Sequence, residues 1–586
     1  MVAFYADSTL QKHHNHAFQT VPPLASEGVL PLGLDQDTFQ RVVGMLRNVV
    51  GEENVAVGEG LRDFRDPYPL VIDDHQPSAA ACPVSVEEIQ GILKIANKFG
   101  IPLWVCSQGK NFGYGGPAPR QTGSLVVSLH RMKRILEVNE KFAYVLVEPG
   151  VTFFELYEYL KTRNIPLWVG VPALGWGSVL GNVSSPTQIT VDRGHGYTIS
   201  GDRQHGIRSL EVVLPSGEIM RTGQWAVSHS PSVHTCSNNF GPQVDGLFLQ
   251  TNLGIVSKLA VGVDLAPPAF MNVKLHGPRV QDIGAIIDSM QQLWLEGIMQ
   301  NHGMITNINH FASHDVPKHM HQKEEGPLLP ETIAAMKEKY KTGYWRCSFD
   351  LYGSREMVLA RFSRVQAVFS ARLPGVQLEK TLFQGQDGKP VDATSIGTLS
   401  AGVPSMAPVK LADYNLPADG TGAGGHIDTT LILPAEGKTV VEWFWQAKKI
   451  MEDEGVDPFI GCHVFPHHIL FVQEYVFDKK QSTHRERGCK VVDSLLTAAK
   501  KAGFANYRSH IQHMDTVQDM YDYNDHIYRR FVETLKHALD PKGIIAPGKQ
   551  GIWPHRKVAF PATENTTEAA EYNIIGNGST VDEKRN

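Results

Sequence analysis

Two glycine-rich runs carry the most chemically specific pattern in the chain. The first is Ser107-Gln108-Gly109-Lys110-Asn111-Phe112-Gly113-Tyr114-Gly115-Gly116, and the second is Leu174-Gly175-Trp176-Gly177-Ser178-Val179-Leu180-Gly181-Asn182. Glycine lets a backbone approach a ligand closely, and successive N–H groups form a nest for an anion. Neither run fits G-x-x-x-x-G-K-[ST] or G-x-G-x-x-G. One such run is equally a tight surface turn. Two of them, each beside a strand, point to the diphosphate of a dinucleotide. The candidate contacts are Gln108, Gly109, Lys110, Asn111, Phe112 and Gly113 in the first run, and Gly177, Ser178 and Asn182 in the second.

Histidines form the second candidate set. His463, His467 and His468 make an H-x-x-x-H-H pattern, which superficially suggests metal ligands. On a strand, positions 463 and 467 share a face and 468 points opposite. With no carboxylate pair nearby, the pattern reads as no metal site, with His467 a pocket histidine. His13, His14 and His16 read as part of a solvated arm, and Asp192 and Asp202 are weaker base candidates.

The elements around these residues follow from periodicity. Ser85 to Glu88 is a capping box, and Val86, Ile89, Ile92, Leu93, Ala96 and Phe99 recur at helical spacing up to Gly100. Thr152 to Glu155 opens a second helix. Strands are expected at 101–107, 124–129, 143–148, 209–214 and 254–264, with a hairpin turn at Pro215-Ser216-Gly217. The second half reads as strand 346–352, helix 354–372 and strand 376–382. A long loop over 384–425 follows. Then come strand 427–433, helix 436–454, strands near 459–464 and 469–477, and helix 482–502. Hairpins mixed with helices favour an α+β fold, with a helix-layered sheet in the second half.

Composition excludes several classes. The chain has 586 residues, 42% hydrophobic and 20% charged, with a formal net charge of −6. That balance excludes a disordered scaffold and a globally basic nucleic-acid binder. No apolar run of about 18 residues, the length a transmembrane helix needs, is present. Six scattered cysteines with no C-x-x-C exclude a disulfide framework. With no secretory or peroxisomal signal visible, the expected location is cytoplasmic.

Five runs carry a family resemblance: NFGYGGPAPRQTGSLVVSL, YVLVEPGVTFFELYEYL, VPALGWGSVLGN, FGPQVDGLFLQTNLGIVSK and DPKGIIAPGKQGIWP. Together they resemble the vanillyl-alcohol oxidase and p-cresol methylhydroxylase family of FAD enzymes, in family order from about residue 35 to 555. The resemblance implies a two-domain flavoprotein. A PCMH-type FAD-binding domain is expected over 31–268 and 504–560, with an α/β cap domain over 269–503 between them. Residues 1–30 would be an N-terminal arm and 561–586 a disordered tail. It further implies FAD contacts at Ile255 and Lys549, and a covalent flavin link through His426 in Gly424–Pro434. Tyr114, Tyr507 and Arg508 match the positions that hold a phenol oxygen. The implied partners are a phenolic substrate and O2, and the implied assembly is a homodimer or higher homo-oligomer.

The sequence departs from the family at one important place. The aspartate of the motif V-P-D-L-G-G-G-S is here Ala173, and Trp176 replaces a glycine. Alanine neither accepts a proton nor carries charge. Either another base takes over, with His463 and His467 among the candidates, or the substrate differs from vanillyl alcohol. The leading expectation is hydride removal from the benzylic carbon of a para-substituted phenol through a p-quinone methide. The alternatives are a flavoenzyme of the same fold acting on 2-hydroxy acids or lactones, and a catalytically impaired flavin-binding relative.

Overall fold

A computed structural model describes residues 29–72, 74–183, 195–201 and 206–554. Asp192, Asp202, His13, His14, His16 and the 561–586 tail lie outside the described residues.

The first half builds two main sheets and a two-stranded antiparallel pair, Leu167–Trp168 with Asp264–Leu265. One has the order Val55–Ala56, Ala79–Ala81, Leu125–Ser128, Leu103–Cys106, with the last three strands parallel. Ala79–Ala81, Leu125–Ser128 and Leu103–Cys106 are buried throughout. They are short apolar runs, as parallel strands covered on both faces require. The helix Val86–Phe99 begins where the Ser85 side chain accepts from the Glu88 N–H, and ends at Gly100 in the left-handed region. Near its C-terminus the chain returns to this sheet: Leu103 N–H donates to the Ile544 carbonyl, and Ala546 N–H to the Leu103 carbonyl. The second sheet is antiparallel, in the order Ile135–Asn139, Tyr144–Val147, Ile255–Gly262, Ile207–Val213, Ile219–Arg221. The helix Phe153–Thr162 carries the reciprocal Thr152–Glu155 capping box expected from sequence.

The second half builds one eight-stranded sheet. Its order is Leu378–Gln384, Ala269–Gly277, Trp345–Gly353, Gly303–Asn307, Phe459–Val464, His468–Asp478, Gly424–Pro434, Asn506–Arg508. Every pairing in it is antiparallel. The helices Arg355–Arg372, Asp282–Leu295, Gly437–Asp453 and Ser482–Ala502 pack side by side in that order. Sequence periodicity placed most of these elements but passed over Ala269–Gly277, Gly303–Asn307 and the helix Asp282–Leu295. The alternation of Ala269–Gly277 was available: Met271, Val273 and Leu275 are buried, while Asn272, Lys274 and His276 are half-buried. The 384–425 segment is not featureless, since short helices form at Ala393–Ile396 and Ala407–Asp413. Among the described residues, no helix is long and apolar enough to cross a membrane.

The alternation of this sheet positions the site. Side chains along a strand point to opposite faces in turn. Ile427, Leu431, Cys462, Phe471 and Tyr475 enter the main apolar core. Their strand neighbours His426, Asp428, His463, Val472 and Glu474 therefore face the other way, and all five line one cavity.

Candidate functional site

The cavity holds about 360 Å³ and lies between this polar face of the sheet and both glycine runs. The first run supplies Lys110, Asn111, Phe112, Gly113 and Tyr114. The second supplies Leu174, Trp176, Gly177 and Asn182, preceded by Pro172 and Ala173. The runs are held by their own bonds: Gln108 Nε2 donates to the Gly150 carbonyl at 2.6 Å, and Ser178 Oγ donates to the Pro149 carbonyl at 2.5 Å. Gly109 has φ +63°, and a Cβ there would stand 2.9 Å from the Pro117 ring. At Gly113 a Cβ would meet His426 Cε1 at 2.7 Å and Asp428 Oδ2 at 2.9 Å. The loop backbone thus lies directly on His426, and only glycine permits that approach.

Three of the phenol-site candidates come together. The Arg508 guanidinium carbon lies 4.3 Å from the Tyr114 ring centre and 5.1 Å from that of Tyr507. Thr430 pairs with Arg508 across adjacent strands, and its hydroxyl is 3.5 Å from the Tyr114 hydroxyl. Burial raises the Tyr114 pKa well above the ordinary phenol value, against the opposing pull of Arg508. Tyr114 is therefore a hydrogen-bond donor at neutral pH. Tyr507 is buried and lines a neighbouring cavity that Arg508 also borders.

His426 is set by its strand neighbour. Its Nδ1 lies 2.8 Å from Asp428 Oδ1. Burial works against the charged imidazole, but the Asp428 carboxylate prevails and the pKa of His426 is raised. Tyr68 stands edge-on to His426 at 5.4 Å and to Phe112 at 5.5 Å, and Phe112 meets Trp176 at 4.9 Å. Lys110 Nζ lies 5.6 Å from the Trp176 ring, and burial pushes its pKa down to about 8.

One expectation is corrected. His467 is exposed and does not line the cavity. Strand alternation does not carry from His463 to His467, because the chain reverses here, with the Phe465 N–H donating to the His468 carbonyl. His463, four residues earlier and still on its strand, is the histidine that reaches the cavity, while its neighbour Cys462 is buried in the core. Ile255 and Lys549 are fully buried and lie outside the cavity lining.

The sequence reading missed a set of cavity residues. Asp428 and Glu474 are directly opposed across paired strands. His310 Nε2 lies 3.1 Å from Glu474 Oε2, with both side chains nearly buried. Tyr197, Met304 and His314 also line the wall. The Asp428 signal was readable, since residues two apart on a strand share a face. The Glu474–His310 contact spans 164 positions in sequence and left no local trace.

Ser107 Oγ and Asn182 Oδ1, one beside each glycine run, are buried without a hydrogen-bond partner among the described residues. Buried polar atoms are normally satisfied, so these fit a polar ligand such as FAD between the runs. The fold and site thus define a flavin-binding oxidoreductase scaffold. Residues 77–223 match an FAD-binding domain model. The chain is 29% identical over 533 residues to the 4-cresol dehydrogenase [hydroxylating] flavoprotein subunit of Pseudomonas putida, covering 90% of this chain and 98% of that protein. It is 27% identical to 1'-carboxy-chondrochloren decarboxylase of Chondromyces crocatus, covering 89% and 99%. Among solved structures it superposes on 4-ethylphenol oxidase from Gulosibacter chungangensis with a TM-score of 0.83 at 29% identity, covering 90% and 99%. The chain is thus a flavin-dependent oxidoreductase similar to members of the vanillyl-alcohol oxidase and p-cresol methylhydroxylase family.

Proposed function

We propose that the protein oxidises para-substituted phenols at the benzylic carbon. The observation that carries this reading is the Arg508 guanidinium set against the Tyr114 ring at one end of the cavity, with Tyr507 behind it in the neighbouring cavity. A permanent cation and a protonated phenol donor there favour a substrate bound as its phenolate. From the phenolate, the benzylic C–H bond breaks with its electron pair, leaving a neutral p-quinone methide. FAD, when bound, supplies the acceptor for that hydride. Tyr114 and Arg508 hold the oxygen end throughout, so the reacting carbon stays fixed.

Glu474, in contact with His310, is the base that we assign in place of the family aspartate missing at Ala173. It takes a proton from water as the hydroxyl adds to the methide carbon, and the ring regains its phenolate form. His310 holds the carboxylate in place. His426 is the residue that would hold FAD covalently. With Nδ1 engaged by Asp428, its Nε2 keeps the lone pair that such a bond needs. Residues 31–268 with 504–560 serve as the cofactor-binding part and 269–503 as the cap. O2 is the terminal acceptor, and the assembly is a homodimer or higher homo-oligomer. Six free cysteines support a reducing compartment, which we take as the cytoplasm.

The reading is tested by anaerobic reduction of the holoenzyme with 4-alkylphenols and with 2-hydroxy acids. Bleaching of the flavin by the phenols is expected. Bleaching by hydroxy acids alone overturns the proposal. Flavin fluorescence in the denatured protein band, lost in His426→Ala, tests the link.

A further inference from the structure

Three imidazoles outside the phenol machinery converge on one stretch of the cavity wall. His195, His302 and His463 each offer a ring nitrogen, and these atoms lie within 4.8 Å of one another. They come from distant segments. His302 immediately precedes the strand Gly303–Asn307, whose Met304 pairs with His463 on Phe459–Val464, and His195 lies two residues before Tyr197. Their ring centres are 4.0, 5.0 and 5.1 Å apart with planes inclined at 52°, 86° and 70°, so they do not stack face to face. His302 and His463 are buried, and His463 Nδ1 has no hydrogen-bond partner among the described residues. Leaving a buried imidazole nitrogen unsatisfied costs about 1–3 kcal/mol, which packing alone does not explain.

We propose that His195, His302 and His463 form a binding site for a divalent transition-metal ion of the zinc class. An ion central to nitrogens within 4.8 Å of one another lies no more than about 2.8 Å from each, and Zn–N bonds are about 2.0–2.1 Å. Ring rotations of under about 1 Å close that gap. Three imidazoles without a carboxylate select zinc-like ions over magnesium or calcium. Asp428 and Glu474 in the same cavity offset the positive charge of Arg508. His195, His463 and Tyr197 all line the cavity, so an ion here keeps a coordination position open toward it.

The inference stands on these residues alone and not on phenol turnover, and its test reads metal rather than activity. Tag-free holoenzyme is stripped with chelator, titrated with Zn2+ by calorimetry, desalted and analysed for zinc. One retained zinc per chain is expected. His463→Ala and His302→Ala, each checked for unchanged FAD content, are expected to lose it, with affinity at least about tenfold weaker. If His463→Ala fails to fold, His195→Ala at the half-buried edge gives the same reading. Wild-type protein that retains no zinc after desalting, or folded variants that retain it unchanged, overturn the proposal.

Discussion

Replacing Arg508 with methionine removes the cation of the phenol end, which is charged at every working pH. A model phenol ionises near pKa 10. A guanidinium about 4 Å from the developing phenolate, at an effective dielectric of about 20, favours the anion by about 4 kcal/mol. That corresponds to about three pKa units. Arg508 is half-buried and borders two cavities, which screens the interaction. The expected loss is therefore roughly 100-fold to 1,000-fold in the second-order rate of anaerobic flavin reduction at pH 7. The loss should shrink as pH rises toward the free phenol pKa, because the anion then forms without help. Arg508→Lys keeps the charge but loses the planar fork, so it should fall between the two. The assay is stopped-flow reduction by a 4-alkylphenol from pH 6 to 10. A decrease below about fivefold with an unshifted pH profile would refute the phenolate account.

Further expectations follow from the same geometry. Glu474→Gln should slow hydration of the methide on the order of 100-fold while leaving flavin reduction nearly intact, read as accumulation of the coloured intermediate in single turnover. Gly113→Ala should cut FAD content and lower stability by about 1–3 kcal/mol, because its Cβ would stand 2.7 Å from His426; flavin absorbance and urea titration check this. Acid should destabilise the fold. Burial lowers the pKa of His75 and His130 to about 4 and of His314 and His513 to about 3. These rings are neutral when folded and bind protons more readily when unfolded. Stability should therefore be full above about pH 6.5 and fall toward pH 4, by on the order of 1 kcal/mol per unit per ring, measured by urea midpoints.

Local signals were legible and cross-chain ones were not. The Ser85 N-cap and the Thr152 capping box set two helix starts, since a cap is a contact over three residues; at Ser85 the Glu88 carboxylate accepts instead from the Val84 N–H. The glycine runs were legible because their constraint is on the backbone itself. Tyr114, Arg508 and His426 were reached through motif resemblance, and the structure gathers them in one cavity. His467 misled because strand alternation was carried through a hairpin turn. Glu474, His310, His195 and His302 were invisible, and His463 was legible only as a lone strand histidine, because what joins them is the register of one sheet. Pairing Met304 with His463, and Asp428 with Glu474, is decided by the whole sheet and not by either strand.

The central claim is that the substrate reacts as a phenolate held at Arg508. The direct test is anaerobic reduction of the holoenzyme by 4-ethylphenol beside its methyl ether, 4-ethylanisole, which has the same benzylic C–H bonds but cannot ionise. The account predicts rapid bleaching of the flavin by the phenol and none by the ether. Comparable bleaching by both, or by neither, would contradict it.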